Sequence, residues 1–202
     1  MAQKAQVIQV KADCGRSWGT VPYAAFAKQL GSATLDLTLC SQLRHHSRVT
    51  VMQNTLVIKL LVVCVGNICR SPMAAALFEK ASDQEVKFEA RSCGIAALVG
   101  RPADPHSVTL CRELGSDITD HVSRQISNED LAWADVVFVM DTEQQFYIEK
   151  NYPEAADKTF RLGELDDVEI EDPYTEEIEA FQIALDAIRR GIKSWRRKII
   201  AG

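Results

Sequence analysis

The chain has 202 residues, 47% hydrophobic and 25% charged, with a net charge of −5 from 28 acidic and 23 basic side chains. That length and composition suit one globular domain with room for an appendage, large enough to bury a core without disulfide staples. The acidic balance argues against a nucleic-acid binder that works by phosphate neutralisation, and no apolar run approaches the length of a membrane span.

Charge divides the chain. Residues 1–51 carry six Lys/Arg and two Asp, a surplus of +4, and residues 52–202 carry −9. The first segment has no sustained periodicity and is expected to be a poorly ordered or non-native extension, with Met52 as a candidate true start. Residues 52–202 are expected to form the domain. No export signal is read ahead of it, so the six cysteines (Cys14, Cys40, Cys64, Cys69, Cys93 and Cys111) are expected as reduced thiols in a cytoplasmic protein.

From residue 56 the pattern is that of alternating strands and helices. Leu56–Val63 is nearly continuous in apolar, mostly branched residues, as a strand buried on both faces requires. Residues 72–81 read as a helix, Val86–Arg91 as a second strand, Pro105–Leu114 as a helix and Ala134–Met140 as another buried strand. Thr142–Lys150 reads as a helix and Thr159–Leu162 as a short fourth strand. Ile178, Phe181, Leu185, Ile188, Ile192, Trp195 and Ile199 recur at steps of three and four and mark one apolar face of a long final helix, read as core. Strands alternating with helices imply an α/β domain with a mostly parallel sheet.

The chemistry is concentrated in Cys64-Val65-Gly66-Asn67-Ile68-Cys69-Arg70-Ser71-Pro72, between the first strand and the first helix. Ser71 reads as an N-cap and Pro72 as the first helical residue. The helix then starts directly behind the loop, where its free N–H groups and dipole favour an anion. Gly66 and Asn67 tolerate left-handed backbone angles, so the loop can curl and turn consecutive N–H groups inward, as a phosphate requires. Arg70 can add a bidentate clamp. Cys64 lies at the base of this cradle, where the positive field and a hydrogen bond from Ser71 favour a thiolate nucleophile. Far downstream, Asp172-Pro173-Tyr174 puts a carboxylate in a loop ahead of the last helix, placed to donate a proton to a leaving group. His45, His46, His106 and His121 are not spaced as metal ligands, and neither a metal nor a cofactor is expected.

VCVGNICRSPMAAALF followed by EDPY resembles the low-molecular-weight protein tyrosine phosphatases, over about residues 54–200. The resemblance implies a doubly wound, three-layer α/β/α fold on a four-stranded parallel sheet. It implies Cys64 as nucleophile, Arg70 as phosphate ligand and Asp172 as general acid. Val65, Gly66, Asn67, Ile68, Cys69 and Ser71 would surround the phosphate, with Leu98 and Tyr174 beside the substrate ring. Ser92 and His121 would support the loop around Asn67, and Cys69 could trap an oxidised Cys64 as a disulfide. SCGIAALVGRPADP and HVSRQIS resemble the bacterial branch that works opposite tyrosine autokinases of capsule and exopolysaccharide export. A phosphotyrosine protein, such as that kinase, is therefore the expected partner of a monomeric enzyme that neither binds nucleic acid nor inserts into membranes.

Two related activities are weighed against this. Thioredoxin-coupled arsenate reductases resemble the loop but need two further cysteines near residues 136–143, where this chain has none. Protein arginine phosphatases carry threonine at the position of Ile68, and a branched apolar side chain suits an aromatic ring better than a phosphoguanidinium. A third reading, a non-catalytic phosphotyrosine-binding module, needs neither the nucleophile nor the acid.

Overall fold

A computed structural model describes residues 55–201, and nearer the N-terminus a two-residue antiparallel pair, Val7–Ile8 with Val21–Pro22. The chain divides into two compact units, Met1–Asn54 and Thr55–Gly202. The expected character of residues 1–51 lies outside the described residues.

In the second unit, β1 (Leu56–Cys64) leads through the loop to α1 (Arg70–Lys80), then β2 (Val86–Gly94) and α2 (Pro105–Glu113). A short α3 (Asn128–Trp133), β3 (Val136–Val139), α4 (Thr142–Asn151) and a 3-10 turn, Pro153–Lys158, follow. The chain closes with β4 (Thr159–Arg161), a second 3-10 turn at Glu164–Asp166, and α5 (Ile178–Ala201). The four strands pair in parallel in the order β2-β1-β3-β4.

That order explains the apolar run Leu60–Cys64 of β1. Leu60, Val62 and Cys64 point into the layer formed with α1, α2 and α5, and Leu61 and Val63 into the layer formed with α3 and α4. Both faces are covered, so no position can be polar without a partner. On the first side Phe78 stacks on Phe138 at 5.2 Å and Phe138 meets Trp195 at 5.0 Å. The stripe on α5 is core: Phe181, Leu185, Ile188, Ile192 and Trp195 are buried, and Ile178 and Ile199 pack partly buried against them.

The sequence reading missed α3 and the two 3-10 turns. Each is three to six residues long, too short to display a helical period. α3 was nonetheless marked by Ser127, whose hydroxyl caps Asp130 N at 3.2 Å. The second strand runs three residues past the expected Arg91, to Gly94.

The sheet reverses its order at β1: the chain moves to one side for β2 and to the other for β3 and β4. Ligands of open parallel sheets bind where such a reversal leaves a crevice beyond the carboxyl ends of the strands. Cys64 is the last residue of β1.

Candidate active site

Five successive carbonyls around the loop are held from outside. Cys64 O accepts from Ile95 N at 2.9 Å, Val65 O from Ala96 N at 3.1 Å and Gly66 O from Leu98 N at 3.0 Å. Asn67 O accepts from His121 Nε2 at 2.7 Å, and Ile68 O from Asp104 N at 2.8 Å. With the carbonyls turned outward, the N–H groups turn inward. Among the described residues, those of Val65, Gly66, Ile68, Cys69 and Arg70 donate to no protein acceptor. Such a ring of oriented amides is an anion cradle.

Asn67 makes this curl possible. Its φ of 57° is left-handed, which a short polar side chain tolerates. Its Nδ2 donates to Ser71 Oγ at 2.9 Å and Ser92 Oγ at 3.0 Å, and its Oδ1 accepts from Arg124 N at 2.9 Å. The side chain is fully buried and each of its polar atoms has a partner, so it acts as a strut. Burial outweighs the hydrogen bond to Asn67 O and, with the Arg124 charge, holds the pKa of His121 below its usual value; the ring donates Nε2–H to the Asn67 carbonyl. Ser123 Oγ adds a bond to Gly66 O at 2.9 Å.

The expected N-cap at Ser71 is corrected. The helix begins two residues earlier than expected, at Arg70, with Cys69 at the cap position and no side chain closing it. Ser71 lies inside the first turn, and its hydroxyl is used elsewhere. It accepts from Asn67 Nδ2 and lies 3.0 Å from Cys64 Sγ, to which its remaining proton can be donated. Sγ also accepts from Asn67 N at 3.2 Å. Leaving the first turn uncapped keeps its N–H groups available to a ligand.

Arg70 is 2% exposed. Its Nη1 donates to Ile170 O at 2.8 Å and lies 3.6 Å from Asp141 Oδ2, and its Nη2 meets Asp172 Oδ2 at 2.5 Å. Nε has no partner. Arg70 and Asp172, which the sequence reading assigned to separate tasks, are thus an ion pair here. Asp141 was not anticipated; the available signal was a carboxylate directly beyond the end of a buried strand. Ser123 and Arg124 were also missed, although they directly follow Val122 and His121.

Above Sγ lies a cavity of about 120 Å³ lined by Cys64, Val65, Gly66, Ile68, Cys69, Ala96, Leu98, Asp172 and Tyr174. Asn67 and Ser71 stand behind this wall, Ser92 and His121 behind them. Leu98 and Tyr174, 37% and 45% exposed, form an apolar rim at the mouth. A wider groove of about 550 Å³ lies behind the loop, against Ser92, His121 and Arg124, and contains no cysteine. Burial, then the nearby Asp104 and Asp172, pushes the Cys69 thiol far up, and burial does the same to Cys93. Both are protonated thiols at neutral pH.

Gly94 fixes the distance between β2 and the loop. A Cβ there would stand 2.4 Å from Val65 O and 3.1 Å from Ala97 Cα. These are backbone atoms and cannot swing aside. Gly94→Ala is expected to cost about 1–3 kcal/mol of stability and to weaken competitive inhibition by inorganic phosphate. A wild-type denaturation midpoint with unchanged phosphate inhibition would show that the loop yields freely.

The arrangement can hold a tetrahedral oxyanion, attack it from below with sulfur and protonate it from above with a carboxylate. Residues 59–201 match the family described as low molecular weight phosphotyrosine protein phosphatase. A probable low molecular weight protein-tyrosine-phosphatase EpsP of Ralstonia nicotianae is 41% identical over 142 residues, covering 70% of this chain and 96% of that protein. Among solved structures, Vibrio vulnificus Wzb in complex with benzylphosphonate superposes with a TM-score of 0.65 at 34% identity, covering 70% of this chain and 98% of that one. The YwlE arginine phosphatase of Geobacillus stearothermophilus superposes with a TM-score of 0.66 at 35% identity, covering 71% and 94%.

Proposed function

The chain belongs to the low molecular weight phosphotyrosine protein phosphatase family and is a cysteine-based protein-tyrosine phosphatase; we propose that Cys64, Arg70 and Asp172 carry its reaction. The observation that supports this most is the stacking order of the site. Cys64 Sγ lies under a ring of free amides, with Asp172 and the apolar rim in the wall of the same cavity.

The substrate phosphate enters the ring and takes the Arg70 guanidinium from Asp172. Sγ, as a thiolate, attacks phosphorus in line while the bond to the phenolic oxygen breaks. The loop amides and Arg70 hold the three equatorial oxygens as charge redistributes. Asp172, released from Arg70, takes up a proton from solvent and gives it to the departing phenolic oxygen. In the second half, Asp172 takes a proton from water, the water oxygen attacks phosphorus, and the phosphocysteine bond breaks to return the thiolate and inorganic phosphate. Asn67, Ser92 and His121 do not touch the substrate and act by holding the loop.

The protein substrate we assign is a tyrosine autokinase of exopolysaccharide or capsule export. The reading rests on the SCGIAALVGRPADP and HVSRQIS segments and on the likeness to EpsP. The enzyme works as a cytoplasmic monomer, and residues 52–202 contain all of its chemistry. No helix among the described residues is long and apolar enough to cross a membrane.

Since an arginine phosphatase is among the similar structures, specificity is the property to test. Ile68 is 7% exposed and lines the cavity, so the ring of a bound phosphotyrosine meets an apolar wall and a phosphoguanidinium finds no hydrogen-bond acceptor there. Phosphate release from matched phosphotyrosine, phosphoarginine and phosphoserine peptides, in EDTA and reductant, is expected to favour phosphotyrosine by at least about 10²-fold. Faster release from phosphoarginine would move the chain to the other activity.

A further inference from the structure

We propose that the exposed face of the C-terminal half of α5 is a docking surface for anionic phospholipid headgroups. Between Ala187 and Ala201 the helix carries Arg189, Arg190, Lys193, Arg196, Arg197 and Lys198 and no acidic residue, in a chain whose net charge is −5. At 100° per residue, Arg189, Arg190, Lys193, Arg196 and Arg197 fall within about 120° of the helix circumference. The opposite side carries the core stripe that ends in Ile192 and Trp195.

Acidic groups facing this surface are few. Arg196 is tied to Asp83 and to Ala81 O, Arg189 lies 3.4 Å from Asp186, and Asp166 is hydrogen-bonded to Ser194. Arg190, Lys193 and Arg197 have no ion pair among the described residues. Ile200, 42% exposed, lies within the same arc, and Ile183, 67% exposed, borders it. Isolated isoleucines among cations suit a headgroup layer, where the apolar side chains can reach the acyl boundary, better than a nucleic acid backbone. A convex helix ridge also suits a plane, since it cannot enclose a peptide. Arg197 lies 19 residues beyond Ile178, about 28 Å along the axis from the end of α5 that follows Asp172. Docking there leaves the catalytic mouth open. The acidic residues from Glu171 to Glu179, near that mouth, are repelled by the same surface.

The test is co-sedimentation of the full chain with vesicles of phosphatidylcholine alone or mixed with phosphatidylglycerol. Partition onto the mixed vesicles is expected to exceed that onto neutral ones at least about tenfold and to weaken with salt. The triple variant Arg190→Glu, Lys193→Glu, Arg197→Glu is expected to lose at least about tenfold while hydrolysing a soluble phosphotyrosine peptide at the wild-type rate. If circular dichroism shows that variant misfolded, the corresponding Gln variants take its place. Equal binding by wild type and variant overturns the assignment, because cations elsewhere, including those of residues 1–51, would then be responsible. Equal partition onto both vesicle types, or retention by RNA in preference to vesicles, also overturns it.

Discussion

Cys64→Ser is expected to abolish turnover of a phosphotyrosine peptide, by at least about 10⁴-fold in kcat. The replacement is nearly isosteric. The new hydroxyl can keep both contacts of the sulfur, with Ser71 Oγ and with Asn67 N, so the cradle should still bind inorganic phosphate. What disappears is a nucleophile that can attack as an anion, since an alcohol does not ionise near neutral pH. Any slow attack by the serine oxygen would leave a phosphate monoester that water does not readily cleave, so the variant can release at most one phenol per chain. Intact-mass measurement after incubation separates the cases: an unmodified or singly phosphorylated chain with no repeated turnover fits the covalent mechanism. Repeated turnover at a substantial rate would remove it.

The sequence made the cradle legible because its parts are local. Cys64, Gly66, Asn67, Arg70 and Ser71 lie within eight residues between a buried strand and a helix, and short-range rules are enough to read a curled loop behind a helix N-terminus. The buried strands were legible for a related reason: Leu60 to Val63 are covered on both faces, which removes the alternation and leaves a continuous apolar run. The long α5 displayed enough turns to show its stripe.

The less legible features depend on contacts distant in sequence. Ile170 O and Asp172 reach Arg70 across 100 and 102 residues, and Asp141 completes that environment from the end of β3. Nothing local to any of the three indicates the others. Ser71 is the instructive error. Ser-Pro at a helix start is good evidence for a cap, but the sulfur and Asn67 compete for the same hydroxyl, and they win because both are buried and have few alternative partners. A cap there would have closed the first turn of a helix whose N–H groups are left open.

The Arg70–Asp172 ion pair leads to the second large effect. In this conformation the carboxylate is the nearer of two, with Asp141, that neutralise the buried guanidinium. A dianionic phosphate must compete with it for Arg70, and success frees Asp172 beside the leaving oxygen. Asp172→Asn therefore acts on two properties in opposite directions. The amide cannot donate a proton as an acid, and the phenol of tyrosine, with a pKa of about 10, leaves poorly without one. On a phosphotyrosine peptide kcat should fall about 10²–10⁴-fold. On an aryl phosphate with a much more acidic phenol, which leaves readily as the anion, the fall should be clearly smaller. Phosphate inhibition should meanwhile become stronger or stay level, because a neutral amide holds Arg70 less tightly than a carboxylate does. That split distinguishes loss of the acid from collapse of the site, which would weaken oxyanion binding together with kcat. An equal loss on both substrates would take the proton-donor role from Asp172. It would leave that residue as the counter-ion that keeps Arg70 in place.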